Sequence, residues 1–363
     1  MITRIERYLL QSFALPFIFN LLALASLWII ADLFGTLDDF LEHKTPLARV
    51  ISYYTAQLPL LTYTTLPIAL LFAILYSLNQ LRRRQELTAI LACGIPITTL
   101  ARPYLLLSVG ATTILYLFQQ SLIPESQAVR RAILDEIRSR NRDDDWLFNL
   151  ILRDPEKDQI WFFGRFHRRD HYAESVEILQ RHNGRDLCKY FARRASWDGQ
   201  SWHLQEVKTL HYSPQNATNQ ESWDEQLSVP TLTLNPHTIL LTKTPAPFLT
   251  NRDLQHVIDI HTRTHHPDRF LYMTEYAFRY TALFIPLIFS TAAFVAGFAE
   301  LASRRPINVT AAIFILLAYW LIQELSRAMG SSGRFHPYLA AALPVILFLS
   351  LASMQFYCKI IRA

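Results

Sequence analysis

Apolar positions recur along this chain in two patterns. Six stretches, near 13–33, 51–78, 97–118, 276–298, 309–325 and 338–356, are apolar almost throughout. A helix needs roughly 20 such residues to cross a hydrocarbon core of about 30 Å, and each stretch meets or approaches that length. Backbone groups inside a bilayer must bond within the segment, so helices are the expected form. The second stretch contains Pro59 and Pro67, which predict a kink or an oblique entry. The first run continues through Trp28, Ile29 and Ile30, too long for a signal-peptide core of about 7–15 residues, and reads as an uncleaved anchor.

Between the third and fourth stretches the pattern changes. A helical spacing continues from 119 and is expected to stop near 141–145. Short aromatic and β-branched runs follow at WLFNLIL, QIWFFGRF and YAESVEILQ, bounded by Asp, Pro, Asn and Gly, and read as strands. In KYFARRASWDGQSWHLQEVKTLHY two alternating segments flank Asp198-Gly199, a strong hairpin signal. Trp202, Leu204 and Val207 break strict alternation, which predicts a bulge near Gln205 and Glu206. Residues 213–228 read as a polar loop, LSVPTLTL and TILLTKT as weaker strands, and FLTNRDLQHVIDIHTRT as a helix capped by Thr250 or Asn251. The expected fold is α-helical in the membrane, with six spans as 3+3, plus a mostly β domain, a sandwich or an open roll, inserted after the third. The expected boundaries are 1–118, 119–275 and 276–363.

Charge sharpens this division. The 363 residues carry a formal +5 and are 51% hydrophobic. Residues 119–275 hold 42 charged side chains and a net −2, while the remaining 206 residues hold 23 and a net +7. The basic excess lies in the apolar part, which removes the argument for a nucleic-acid partner. With the N-terminus inside, inner segments carry nine Lys/Arg: Arg4, Arg7, Arg82, Arg83, Arg84, Arg304, Arg305, Lys359 and Arg362. Outer short segments carry four: Lys44, Arg49, Arg327 and Arg334. Both termini are then expected in the cytoplasm and the insertion outside.

Familiar catalytic patterns are missing. There is no P-loop, HExxH, CxxC or G-x-S-x-G. His167 and His171 lack a third nearby ligand, and with Cys93 and Cys358 inside and Cys188 outside no two cysteines can meet in an oxidising compartment, so neither a metal site nor a disulfide is anticipated. Asp32, Arg102, Arg279 and Glu324 fall near span ends, where an interfacial or paired role is expected, such as Glu324 with Arg327 at i,i+3. The inner segment LRRRQELTAILACGIPI is basic, then apolar, with Leu87, Ile90 and Leu91 on one helical face beside Glu86 and a stop at Gly94. It reads either as an anchor or as a short helix that docks into a cytosolic partner.

Several segments together resemble the LptF/LptG permeases of lipopolysaccharide export. They are IERYLLQSFALPF, ADLFGTLDDFL, LPLLTYTTLPIALLFAILYSLNQLRRRQELTAILACGIP, FARRASWDGQSWHL and GSSGRFHPYLAAALP. The resemblance covers nearly the whole chain, and the order of the motifs is more specific than any one of them. It implies a bacterial inner-membrane permease subunit with a jellyroll-like periplasmic domain, paired with a paralogous permease. It further implies a cytosolic ABC ATPase dimer that binds the ATP, a periplasmic bridge protein of jellyroll type, and lipopolysaccharide as cargo. No cofactor is implied in this chain. Residues 82–94 would form the coupling helix, with Arg82, Arg84, Glu86, Leu87, Ile90 and Gly94 at the ATPase. Lys44, Arg49, Arg327 and Arg334 are the candidates for the lipid's phosphates. The outer end of the first span carries Asp32, Asp38 and Asp39 instead of a basic cluster. A mechanotransmitting ABC permease that moves no lipid and a membrane-bound envelope-lipid enzyme are the alternatives.

Overall fold

A computed structural model describes residues 4–138, 146–154, 157–182, 185–212, 220–228, 232, 234–299 and 309–357. The expected helix stop at 141–145, the first part of the expected loop, 213–219, and the basic residues Arg304, Arg305, Lys359 and Arg362 lie outside the described residues. So does Cys358. The chain divides into two compact units, residues 1–134 with 270–363, and residues 135–269.

The first unit is a helical bundle. Its helices are α1 (Arg4–Glu42), α2 (Leu47–Arg83), α3 (Glu86–Ala92), α4 (Ile97–Leu117) and α5 (Ile123–Arg138), which begins in this unit, followed by those that come after the second unit in the chain. Six helical stretches are long and apolar enough to cross a membrane: Arg4–Glu42, Leu47–Arg83, Ile97–Leu134, Arg269–Phe298, Ile313–Ser331 and Pro337–Phe356. Each contains one of the six stretches read from hydropathy, or most of it. α2 is the centre of the bundle. Its Leu70, Leu71, Ile74 and Leu78 pack with Leu100 and Tyr104 of α4. The helix is continuous through Pro59 and Pro67.

Between α4 and α5 lies a π-turn, Phe118–Leu122. Buried positions step by four through it, from Ala111 and Leu115 to Gln119, Ile123 and Gln127. A regular helix drifts off its face when contacts recur every four residues, and the wider π-turn absorbs that drift.

The second unit is built on one antiparallel sheet with strands in sequence order: β1 (Trp146–Asp154), β2 (Gln159–His167), β3 (Tyr172–His182), β4 (Arg185–Trp197), β5 (Trp202–His211) and β6 (Gln220–Ser228). It takes the open form, with β1 and β6 as edges. Asp198 fixes the β4–β5 hairpin by accepting from the backbone N–H of Ser201 at 2.7 Å and of Gln200 at 2.8 Å, and it meets His203 Nε2 at 2.6 Å. These bonds, the backbone ones first, hold its carboxyl well below the usual range.

The bulge expected at Glu206 is one of a row. Inward side chains step by three instead of two from Phe163 to Phe166, Ala173 to Val176, Ala192 to Ala195, and Leu204 to Val207. Neighbouring strands carry the irregularity at the same level, so the pairs on either side, Phe163 with Val176 and Ala173 with Ala195, stay in register. Asn149, Ser175 and Glu206, on alternate strands, take positive φ there. Gly164 faces Ser175, and a Cβ at 164 would stand 2.9 Å from the Ser175 Cβ. Only glycine fits that approach.

Two expectations are corrected. Residues 220–228, read as loop, form β6. Its residues from Glu221 to Gln226 are all exposed, so it has no apolar alternation and is held by backbone pairing to β5. TILLTKT, read as a strand, lies in helix α6 (Pro236–Lys243). The Asn235 side chain accepts from His237 N, and Pro236 occupies the first turn. α6 sends Ile239 into the core of the sheet, where Trp161, Phe163 and Trp202 cluster and Trp202 Nε1 donates to Leu234 O at 2.7 Å. α7 (Asn251–Arg263) starts at Thr250, which accepts from Asp253 N; of the two candidate caps, Thr250 is the one used.

The bundle resumes with α8 (Arg269–Thr281), a 3-10 turn and α9 (Ile285–Ala299), whose Ile288, Phe289 and Phe294 join the α2 and α4 core. It closes with α10 (Val309–Ser331) and α11 (Pro337–Phe356).

Candidate functional site

The α2–α4 connection is a built corner. The Arg84 N–H bonds back to Gln80 O at 3.1 Å, and Gln85 turns the chain with φ 59°. Helix α3 then runs for seven residues and stops where Gly94 takes φ 75°. Leu87 is 1% exposed and joins the bundle core, with Ile90 and Leu91 packed beside it. Leu87 and Ile90 are therefore turned into the bundle. The outward surface is Arg83, Arg84, Gln85, Thr88, Ala89, Ala92 and Cys93.

Glu86 lies at the edge of this surface. The Tyr8 hydroxyl donates to its Oε2 at 2.6 Å, and Arg84 Nη1 stands 3.9 Å from its Oε1. The hydrogen bond joins α1 to α3. Arg82 is half-buried, and its Nη1 has no hydrogen-bond partner among the described residues. The structure thus gathers Arg84, Glu86 and Tyr8 at one polar point. Tyr8 was not singled out by sequence, because nothing in the spacing ties it to a residue on a separate helix.

The four outer cations differ in their surroundings. Lys44 is exposed in the α1–α2 turn at φ 48°, and Arg49 is exposed in the first turn of α2. Arg334 is exposed in the turn between α10 and α11. Arg327 is half-buried and paired. Its Nη1 donates to Glu275 Oε2 at 3.1 Å, its Nε lies 3.9 Å from Glu324 Oε1, and its guanidinium stands 4.9 Å from the Phe278 ring centre. Arg279, 7% exposed, approaches the same Glu275 at 3.7 Å. Glu324 and Arg327 pair as their spacing suggests, while the shared partner Glu275 comes from a different helix. A phosphate at Arg327 would compete with Glu275 for the guanidinium. Asp32 also has partners that sequence did not indicate, in a cluster with α2 and α5.

Comparison with known proteins places this geometry. The family model described as the lipopolysaccharide export system permease LptF/LptG matches residues 7–357. The chain belongs to the LptF/LptG family. A search of curated proteins finds no match. Membership makes this LptF/LptG chain a lipopolysaccharide export permease, and with its six apolar helices a multi-pass protein of the inner membrane. It also gives a context for the six-stranded sheet inserted between the third and fourth spans.

Proposed function

We propose that this chain is one permease subunit of an ATP-driven exporter that takes lipopolysaccharide from the outer leaflet of the inner membrane and passes it to a periplasmic bridge protein. It pairs with a paralogous permease and with a cytosolic ABC ATPase dimer, which binds and hydrolyses the ATP. Both termini and α3 face the cytoplasm, and the inserted sheet faces the periplasm. The observation that carries this reading is the family match over 7–357, nearly the full chain.

The physical part of the reading concerns α3. A helix of seven residues has too few internal bonds to persist alone. Leu87, Ile90 and Leu91 hold it on the bundle, which leaves Arg84, Thr88, Ala89 and Ala92 as the face for the ATPase. Motion of the ATPase then passes to the bundle through a rigid seat, and to α1 through Glu86 and Tyr8. Among the outer cations, Lys44, Arg49 and Arg334 are the exposed ones and so the ones an anionic headgroup reaches most directly.

Co-purification with an ABC ATPase tests the assembly. Substituting Glu86→Ala or Glu86→Lys then tests the coupling. The expected result is ATP hydrolysis no longer linked to export. Unchanged export with unchanged assembly refutes the assignment of Glu86.

A further inference from the structure

Helix α1 packs on the core through its N-terminal half, where Phe17 and Leu21 are partly buried against it, and again near its far end at Phe40. Its buried residues are Leu9, Phe13 and Phe40, with none in the interval from 14 to 39. The N-terminal end is fixed by Leu9 and Phe13 in the bundle core and by Ser12, whose Oγ lies 3.0 Å from that of Ser77. Near the other end, Phe40 meets the Tyr53 ring edge-on at 5.5 Å, and Asp32 enters a polar cluster. At 1.5 Å per residue Asp32 stands about 29 Å beyond Phe13, roughly the thickness of a hydrocarbon core.

The cluster joins three helices. The Tyr53 hydroxyl donates to Asp32 Oδ2 at 3.3 Å, and Gln57 Nε2 donates to Oδ1 at 3.4 Å. Arg130 of α5 donates through Nε and Nη2 to the Tyr53 oxygen at 3.1 and 2.9 Å, and through Nη1 to Gln127 Oε1 at 3.3 Å. Its Nη2 is 4.0 Å from Asp32 Oδ1. The Asp32 and Arg130 side chains are 15% and 17% exposed, so both charges are largely out of water.

A buried charge pair that only holds a fold is expected to close at short range with its remaining polar atoms satisfied. This one does not. Every bond to Asp32 is near the long limit, and the two charges meet mainly through the Tyr53 hydroxyl. Gln57 Oε1 and Gln127 Nε2 are buried with no hydrogen-bond partner among the described residues. They are a spare acceptor and a spare donor in the same cluster.

We propose that Asp32, Tyr53 and Arg130 form a releasable clasp. They position the C-terminal half of α1 against α2 and α5 and let it go during transport, a role that rests on the permease reading above. With the clasp open, α1 has no fully buried side chain between Leu21 and Phe40 to hold it, and its far half swings about the segment that ends at Leu21. Asp32 and Arg130 are positioning residues.

Pulsed electron paramagnetic resonance on the full chain in lipid nanodiscs tests this, with Cys93, Cys188 and Cys358 replaced by serine. Spin labels at the exposed Leu37 and Leu117 report the far half of α1 against α4, and labels at Leu15 and Leu106 report the near half. Asp32→Asn and Arg130→Gln are expected to lengthen and broaden the first distance by several ångströms and leave the second unchanged. Asp32→Glu is expected to keep both. Tyr53→Phe keeps the ring against Phe40, so the packing survives, and removes only the relay hydroxyl; it is expected to broaden the first distance as well. In the assembled exporter the same variants are expected to lower lipid exported per ATP about fivefold or more, with hydrolysis maintained. Wild-type distances in Tyr53→Phe or in both charge variants overturn the clasp. The distances need no ATPase or cargo, so a clasp that opens in a chain that exports nothing refutes the permease reading and leaves the clasp standing.

Discussion

Replacing Leu87 with Ala tests whether α3 is a seated helix or a mobile loop. Leu87 is 1% exposed, so the substitution removes a fully buried side chain from the bundle core. Fully buried Leu→Ala changes cost about 2.7–5 kcal/mol, with the spread set by how far the site collapses. The seat here is small. Leu87 is the one fully buried residue of α3, and Ile90 and Leu91 are only partly covered. The loss should therefore fall on the local docking of α3 and leave the bundle standing. Taking the low end, about 2.7 kcal/mol shifts the docked-to-undocked ratio by about a hundredfold. The assay is amide hydrogen exchange of the full chain in detergent or nanodiscs. Protection at Ala89, Ile90 and Leu91 should fall by about that factor, and protection in the middle of α2 should not change. Thr88→Ala, on the exposed face, should leave exchange as it is. If Leu87→Ala preserves the protection of α3, the seat argument fails, and with it the claim that α3 hands motion to a rigid bundle.

Three further outcomes follow from the sheet unit. Burial, helped by His266 and Lys243 and opposed by Asp268, pushes the His261 imidazole down from 6.5 to about 4. The unfolded state then binds a proton that the folded state refuses between those values, so stability is full above pH 6.5 and falls as pH drops toward 4. The loss is about 3 kcal/mol at most and is read as exchange protection of α7; a flat profile that matches His261→Gln contradicts it. Trp202→Phe strips Leu234 O of its donor inside the core and should cost about 2–3 kcal/mol in denaturant unfolding of this unit, against a much smaller loss if that carbonyl finds another partner. Gly164→Ala presses a Cβ onto Ser175 and should cost about 1–3 kcal/mol; the cost should shrink in a Ser175→Gly background, and purely additive effects would show that the two positions do not collide.

Much of this architecture was legible because its signals are local. Each span carries its own run of apolar residues. The β4–β5 hairpin is announced by Asp198-Gly199, and α7 by Thr250. What escaped was decided elsewhere in the chain. β6 has a wholly exposed central run, so only the presence of β5 makes it a strand. Thr238, Ile239 and Leu240 suit a strand by propensity, yet Asn235 and Pro236 start a helix there. The irregular step at Val207 was visible, but its continuation across β2, β3 and β4 is a property of the sheet. At the candidate site the spacing correctly put Leu87 and Ile90 on one face of a helix. It could not say that this face points into the bundle, since an amphipathic pattern fits a partner and a core equally well. Glu275 beneath Arg327, and Arg130 near Asp32, are partners drawn from helices far apart in sequence, and no periodicity links them.

The central claim is that this LptF/LptG chain is driven by an ATPase that acts through α3. The most direct measurement is lipopolysaccharide transfer from proteoliposomes to a soluble acceptor protein of the periplasmic bridge type. The vesicles hold the chain, its paralogous permease and the ABC ATPase. The account predicts transfer that requires ATP, and Glu86→Ala that keeps the complex assembled while abolishing the link between hydrolysis and transfer. Transfer that proceeds equally without ATP, or that Glu86→Ala leaves untouched in an intact complex, contradicts it.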